Sequence, residues 1–182
     1  MDSHLDADEL LALAKLDIES RNFEAALKKL KLVVGADDTP EEAYLVMARL
    51  YATLGLFVKS QQLYESYNEA KPQNTIGRFE FGMTLFDSNN MSGALEYWDT
   101  ILNENRTHPP SLFYSALAHR QLGQISKARD CLDILMKSVT PENMYFQKGK
   151  DLGLSIDLQQ KEADSVSKPV AIETYNGEEV TH

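Results

Sequence analysis

The sequence predicts an all-α protein, a right-handed α-solenoid of four helix-turn-helix units closed by a C-terminal capping helix. Two observations carry this prediction. A phrase of turn residue, bulky apolar residue, two spacers and small residue occurs four times at an interval of 34 residues, without insertion or deletion. Within a unit, apolar residues recur at i, i+3, i+4 and i+7, the spacing of one helix face. A fixed period in this range is typical of stacked helical hairpins.

Two columns of small residues and one of large apolar residues keep the same step through the chain. The small columns are Ala14, Ala48, Gly82 and Ala116, and Ala26, Ser60, Ala94 and Ala128. The large column is Leu30, Tyr64, Trp98 and Leu132. Two helix axes cross closely only where side chains are small, so we expect the small columns at the crossings and the large residues in the adjacent spaces.

Prolines, glycines and caps divide the chain into its elements. Thr39-Pro40-Glu41-Glu42 has the order of an N-cap, a first-turn proline and early acids, which begins a helix, and Leu54-Gly55 separates the two helices of that unit. A last unit would expose its apolar flank, so a capping helix is expected after it. The predicted segments are an acidic N-terminus at 1–6, units at 7–40, 41–74, 75–108 and 109–141, a capping helix at 142–160, and a flexible acidic tail at 161–182.

These residues resemble the tetratricopeptide repeat family over about residues 7–141. The second unit matches the family pattern best, through Tyr44, Met47-Ala48, Tyr51, Gly55, Ser60, Tyr64 and Pro72. Asp17 and Arg78 depart from it, since the family has aromatic residues in those columns. Some members bind acidic chaperone tails through basic residues on several first helices. Only Lys15 is basic at the matching positions here, so we do not predict that partner.

Composition and charge exclude several other functions. The net charge is −10 and the sequence pI about 4.8, which argues against nucleic-acid binding. No run of apolar residues is long enough to span a membrane, so no membrane partner is expected. The acidic N-terminus lacks the basic start of a signal peptide, and the single Cys131 cannot form an intramolecular disulfide. A cytoplasmic location is therefore expected.

The sequence shows no set of residues suited to catalysis. His108 lies beside a Pro-Pro turn, and His119 takes the place of the family's tyrosine, so we expect a packing role for it. No spacing of His, Cys or carboxylates matches a metal site, and no phosphate-binding loop or nucleophile elbow occurs. We therefore expect no enzymatic activity, no cofactor and no metal.

The concave wall, built from the first helix of each unit, is the predicted site for a partner. The first helices of the third and fourth units are apolar nearly all round, so a second face of each must be buried. Either these residues pack against neighbouring first helices, or they form an apolar trough flanked by Arg49 and Arg120 that accepts an extended peptide or an amphipathic helix. The predicted site residues are Lys15, Arg49, Phe79, Met83, Phe86, Phe113, Tyr114, Leu117 and Arg120.

The sequence thus predicts a non-enzymatic interaction module or adaptor, a scaffold whose partner is a protein or peptide segment with apolar anchors. The alternative is a small acidic cytoplasmic chaperone of the bacterial secretion type, which holds a client protein. The partner's identity, the oligomeric state and any folding of the tail at 161–182 back into the groove are left open.

Overall fold

The computed structural model describes residues 5–36 and 38–167, and these ranges form nine α-helices and no strand. The helices are α1 (Ala7–Glu19), α2 (Phe23–Val34), α3 (Glu41–Thr53), α4 (Phe57–Ala70), α5 (Thr75–Asp87), α6 (Met91–Glu104), α7 (Pro109–Gln121), α8 (Ile125–Ser138) and α9 (Met144–Ser167). None of them is both long enough and apolar enough to cross a membrane.

Consecutive helices form closely packed pairs. The most extensive contacts join α1 to α2, α3 to α4, α5 to α6 and α7 to α8, and a short turn connects the members of each pair. Further contacts link α2 to α3, α4 to α5 and α6 to α7, so each pair packs on the next. The predicted all-α solenoid is confirmed. The division into units at 40, 74 and 108 stays a prediction.

The four turns inside the pairs share one backbone conformation at the same position of the period. Arg21, Gly55, Asn89 and Gly123 all have φ between 59° and 71°. The next N–H in each turn donates to a carbonyl five residues earlier, as Leu56 does to Tyr51 at 2.8 Å. This arrangement satisfies carbonyls that a helix end leaves without partners. The turn column of the sequence is therefore a helix-ending device.

The columns of small residues lie in the core. All eight are buried, and in the second pair the Ser60 hydroxyl donates to the carbonyl of Ala48 at 2.8 Å, which joins the two columns directly. A hydroxyl on one helix can reach the backbone of another only where the axes approach closely. The small residues thus lie where the helices of a pair meet, as the sequence predicted.

Helix α9 covers the end of the last pair. Tyr145, Leu152 and Ile156 pack on α7 and α8. The helix begins later than the predicted segment 142–160 and continues through residues that we had predicted to be a flexible tail. No proline lies between Pro141 and Pro169, so nothing in the backbone forces an earlier end. The predicted segment at 1–4 and the rest of the tail, 168–182, lie outside the described residues.

Candidate functional site

The first helices α1, α3 and α5 enclose two adjoining clefts. One, of about 440 Å³, lies between α1 and α3, and the other, of about 310 Å³, lies between α3 and α5. Arg49 and Thr53 belong to both, so the two form one surface, which we call the groove. Its apolar side chains are Ile18, Val46, Leu50, Ala52 and Met83.

Ion pairs between neighbouring first helices cross the groove. Lys15 Nζ lies 2.6 Å from Glu42 Oε2, and Arg49 binds both carboxylate oxygens of Glu80, at 2.7 to 2.9 Å. The Tyr64 hydroxyl donates to Glu80 at 3.1 Å. Two of the cations predicted to face a partner are therefore already paired within the protein.

The Arg49–Glu80–Tyr64 network alters the ionisation of its members. Burial acts to lower the pKa of Arg49, but the hydrogen bond and negative charge of Glu80 more than offset it, so that pKa is raised. Burial, followed by the charge of Glu80, raises the pKa of Tyr64 well above its usual range. The guanidinium and the phenol thus keep their protons throughout the physiological range, and the network is a fixed feature of the groove wall.

Asp87 lies in the second cleft beside this network. Partial burial raises the pKa of its carboxyl, and no cation in the described ranges forms an ion pair with it. It is the acidic group of the groove that is most available to a polar or basic group of a partner.

The predicted apolar trough on the third and fourth first helices is a cluster of aromatic rings in contact with one another. Phe79 lies 5.8 Å from Tyr114 and 6.3 Å from Trp98, between ring centroids. Phe86 lies 5.9 Å from Trp98 and 6.3 Å from Tyr114. Such tilted and edge-to-face pairs are favourable in themselves. Phe79, Phe86 and Tyr114 are half-buried, so this surface is largely satisfied by its own members.

The prediction that Phe113 faces the groove is wrong. Its side chain is only 9% exposed and belongs to the core under α9. Its ring lies 5.7 Å from that of Tyr145, and the Lys148 amino group lies over it at 5.9 Å. The capping helix occupies the face that the sequence left open, because α7 has no further first helix beside it.

The remaining predicted residues divide between two places. Met83 lies in the groove, whereas Leu117 is half-buried in the cluster beneath the capping helix. Arg120 donates to Gln159 of α9 at 3.2 Å, so it belongs to the contact between α7 and α9. Lys15, Arg49 and Met83 are thus the predicted site residues that the groove brings together.

Several groove residues were absent from the predicted set, above all Glu42 and Glu80. A signal for Glu42 existed, since it lies one 34-residue step after Asp8, which the sequence places on the groove face of the first helix. Glu80 gave no such signal. Its position beside Arg49 depends on how α3 and α5 are stacked, which the period alone does not specify.

The described ranges contain no group of three His, Cys, Asp or Glu side chains that could hold a metal ion. His119 shares a hydrogen bond with Gln124 at 2.8 Å. Burial, with a smaller effect of Asp99 and Asp130, raises the pKa of the Cys131 thiol to about 11. That thiol is protonated at neutral pH, which makes it a poor nucleophile.

The chain matches no protein family model and no curated protein, but many solved structures share its fold. MamA from Desulfovibrio magneticus RS-1 is 14% identical, with a TM-score of 0.68 over 87% of this chain and 97% of that one. MamA AMB-1 is 16% identical, with a TM-score of 0.63 over 92% and 94%.

A third similar structure carries the repeat in its name. A tetratricopeptide repeat protein from Parabacteroides merdae ATCC 43184 is 16% identical, with a TM-score of 0.72 over 88% of this chain and 63% of that one. The resemblance noted in the sequence is therefore confirmed at the level of the fold, which is that of tetratricopeptide repeat proteins.

Proposed function

We propose that the protein is a non-enzymatic interaction scaffold that binds a segment of a partner protein in the groove. The observation that carries this proposal is the continuity of the groove across α1, α3 and α5, where apolar side chains alternate with ion pairs. The fold adds support, because stacked helical repeats present extended concave surfaces that serve as binding sites.

The make-up of the groove favours an extended peptide or one face of an amphipathic helix. Val46, Leu50 and Met83 offer apolar contact, and the Lys15–Glu42 and Arg49–Glu80 pairs offer polar groups at intervals along it. A partner with apolar anchors separated by polar positions matches this alternation. Burying roughly 300 Å² of apolar surface yields about 7 kcal/mol before the costs of association, which corresponds to micromolar binding once other contacts are added.

We propose further that the half-buried edges of Phe86, Tyr114 and Leu117 extend the apolar side of this surface towards the capping helix. Their rings and methyl groups are partly exposed even though they contact the aromatic cluster. Aromatic side chains suit this use because they supply a large contact area with few rotatable bonds. The likeness to MamA and to a tetratricopeptide repeat protein does not support the secretion-chaperone alternative.

A pair of matched charge substitutions tests the groove. Met83→Glu places a carboxylate on the groove wall, beside Glu80 and Asp87. Val58→Glu makes the same change on α4 at a side chain that is 69% exposed outside the groove. Each tagged variant is used for affinity purification from native extract with quantitative mass spectrometry, and circular dichroism checks its folding. We expect Met83→Glu to lose the partners that the unchanged protein and Val58→Glu retain.

Two results would count against the proposal. Retention of every partner by a folded Met83→Glu variant would mean that the groove is not the binding surface. Equal loss with both variants would point to a general effect of added negative charge. A retained partner can then be reduced to peptides and titrated directly, which separates direct binding from capture through a third protein.

A further inference from the structure

A second cleft, of about 440 Å³, lies outside the groove, between the second helices of two successive pairs. Glu65 and Glu69 of α4 form one wall, Tyr97 and Glu104 of α6 form the other, and Arg78 at the start of α5 closes it. It continues past Tyr97 to a shallower recess beside Glu96. We call this surface the acidic cleft. Glu65 and Glu69 are four residues apart on one helix, so both carboxylates lie on the same face.

The acidic cleft contains more negative charge than its own cation can balance. Arg78 is the only basic residue that lines it, and its guanidinium binds Glu104 through two hydrogen bonds of 2.7 and 2.6 Å. Glu65, Glu69 and Glu96 form no ion pair with any residue in the described ranges. These three carboxylates therefore face the cleft without a counter-charge.

The ring of Tyr97 lies within the field of these same carboxylates. Burial is the main cause of the raised pKa of its phenol, and the charges of Glu65, Glu96 and Glu69 raise it further. The ring is held by Phe81, with 4.5 Å between centroids. A fixed aromatic ring next to unpaired carboxylates is the environment that attracts a Lys or Arg side chain, through charge and through the cation–π interaction.

Two buried polar atoms among the lining residues have unused hydrogen-bonding capacity. Nε of Arg78 and Oδ1 of Asn68 have no partner in the described part of the chain, and the Arg78 side chain is only 8% exposed. Buried polar atoms are normally paired, so an unpaired donor beside an unpaired acceptor requires an explanation. The C=O and N–H of a peptide backbone are the groups that these two atoms lack.

The solenoid itself does not require acidic residues here, as the neighbouring pairs demonstrate. One step of 34 residues earlier, the positions of Glu65, Glu69 and Tyr97 are occupied by Lys31, Gly35 and Leu63, and one step later by Asp99, Asn103 and Cys131. The preceding pair also has a cleft of about 290 Å³ at the equivalent place, and Tyr44 occupies the position of Arg78 in it. The same backbone positions thus hold different side chains, and the acidic cleft is a property of this sequence.

We propose that the acidic cleft binds a basic segment of a partner protein, with an arginine side chain held between the carboxylates of α4 and the ring of Tyr97. Arginine fits better than lysine because its planar guanidinium can bind carboxylates through two donors while it stacks on the ring. The acidic cleft faces away from the groove, so the protein has two separate surfaces for two segments. The proposal does not depend on the function proposed for the groove.

Titration with a short basic peptide tests this directly. The probe is acetyl-Gly-Arg-Ala-Arg-Gly-amide, added to the isotope-labelled full chain while backbone amide signals are followed by NMR. We expect the largest shifts at Asn68, Tyr97 and Thr100, and none at these residues with a peptide in which glutamine replaces both arginines. The double variant Glu65→Gln with Glu69→Gln should weaken binding about tenfold, because it removes two partly desolvated partners of the guanidinium.

A matched variant controls for overall charge. Asp130→Asn with Asp133→Asn removes two exposed carboxylates from α8, away from the acidic cleft, and should change the affinity by less than about twofold. Equal weakening by the two double variants would overturn the proposal, as would shifts centred on groove residues or no shifts at all. Met83→Glu should leave this binding unchanged, so failure at the groove and failure at the acidic cleft give different results.

Discussion

Trp98 fills the space in which a side chain at Gly82 would stand. A Cβ atom built on Gly82 would lie 2.3 Å from Nε1 of Trp98 and 2.8 Å from Cε2. The indole cannot move away freely, because it is fully buried and its Nε1 donates to the carbonyl of Phe79 at 3.2 Å. The largest residue of the large column therefore faces the smallest residue of the small column.

Gly82→Ala should lower the free energy of unfolding by about 1–3 kcal/mol, because overpacking outweighs the higher helix propensity of alanine. Gly153→Ala is the control. Its nearest neighbour would be Leu132 Cδ1 at 3.9 Å, an ordinary contact, so the helix-propensity gain should raise stability by about 0.5–1 kcal/mol. Urea unfolding monitored by circular dichroism measures both. A Gly82→Ala variant as stable as the unchanged protein would contradict the close approach.

The positive-φ column offers a second prediction with opposite signs at equivalent positions. Arg21 has φ 59° without being a glycine, whereas Gly55 has φ 71° and no atom within 4 Å of a built Cβ. Arg21→Gly should therefore stabilise the protein by about 0.5–1 kcal/mol, and Gly55→Ala should destabilise it by about 1 kcal/mol. Thermal melts of the two variants provide the comparison. A shift of both in the same direction would mean that backbone conformation is not the dominant effect.

The sequence predicted those parts of the fold that depend on contacts within a helix pair. The small columns and the turn column repeat because each pair must solve the same local problem: close crossing of two axes and a sharp reversal of the chain. Ser60 meeting Ala48, and Gly55 ending α3, are outcomes of that kind. A 34-residue period records such constraints directly.

The candidate site was less predictable because it depends on contacts between pairs and on the capping helix. Lys15 and Arg49 were expected to face a partner, but each pairs with a carboxylate of the next first helix. Phe113 was expected to be open, but Tyr145 of α9 covers it. Neither contact has a repeating signal, since α9 follows no unit and the ion pairs involve residues outside the repeated columns.

The Arg78–Glu104 pair predicts an asymmetry between its two partners. Arg78 is buried, whereas the side chain of Glu104 is 51% exposed. Glu104→Gln leaves a buried guanidinium without its counter-charge, but Arg78→Leu leaves only a solvated carboxylate. Leucine already occupies the equivalent position in the next pair, at Leu112. We expect Glu104→Gln to lower the melting temperature more than Arg78→Leu does. The reverse order would mean that the aliphatic part of Arg78 matters more than its charge.

The same pair predicts how stability depends on pH. The hydrogen bond from Arg78 lowers the pKa of Glu104 in the folded protein below its ordinary value of 4.5. Unfolding therefore favours the protonated acid, and the contribution of the pair is complete above that ordinary value and is lost as the pH falls through the lowered pKa. The stability difference between the unchanged protein and Glu104→Gln should thus be constant near neutral pH and shrink below about pH 4.5. A difference that persists at acidic pH would have a cause other than ionisation.

The capping helix provides the last prediction, since two of its residues differ in burial but lie half a turn apart. Ile156 is fully buried against α7 and α8, whereas Leu158 is 61% exposed. Ile156→Ala should cost about 2–4 kcal/mol, through lost burial and the cavity that it leaves. Leu158→Ala should change stability by no more than about 0.5 kcal/mol, because its methyl groups are mostly in water in the folded state. Equal, small effects in chemical denaturation would mean that α9 does not close the last pair, and Phe113 would then be open to a partner after all.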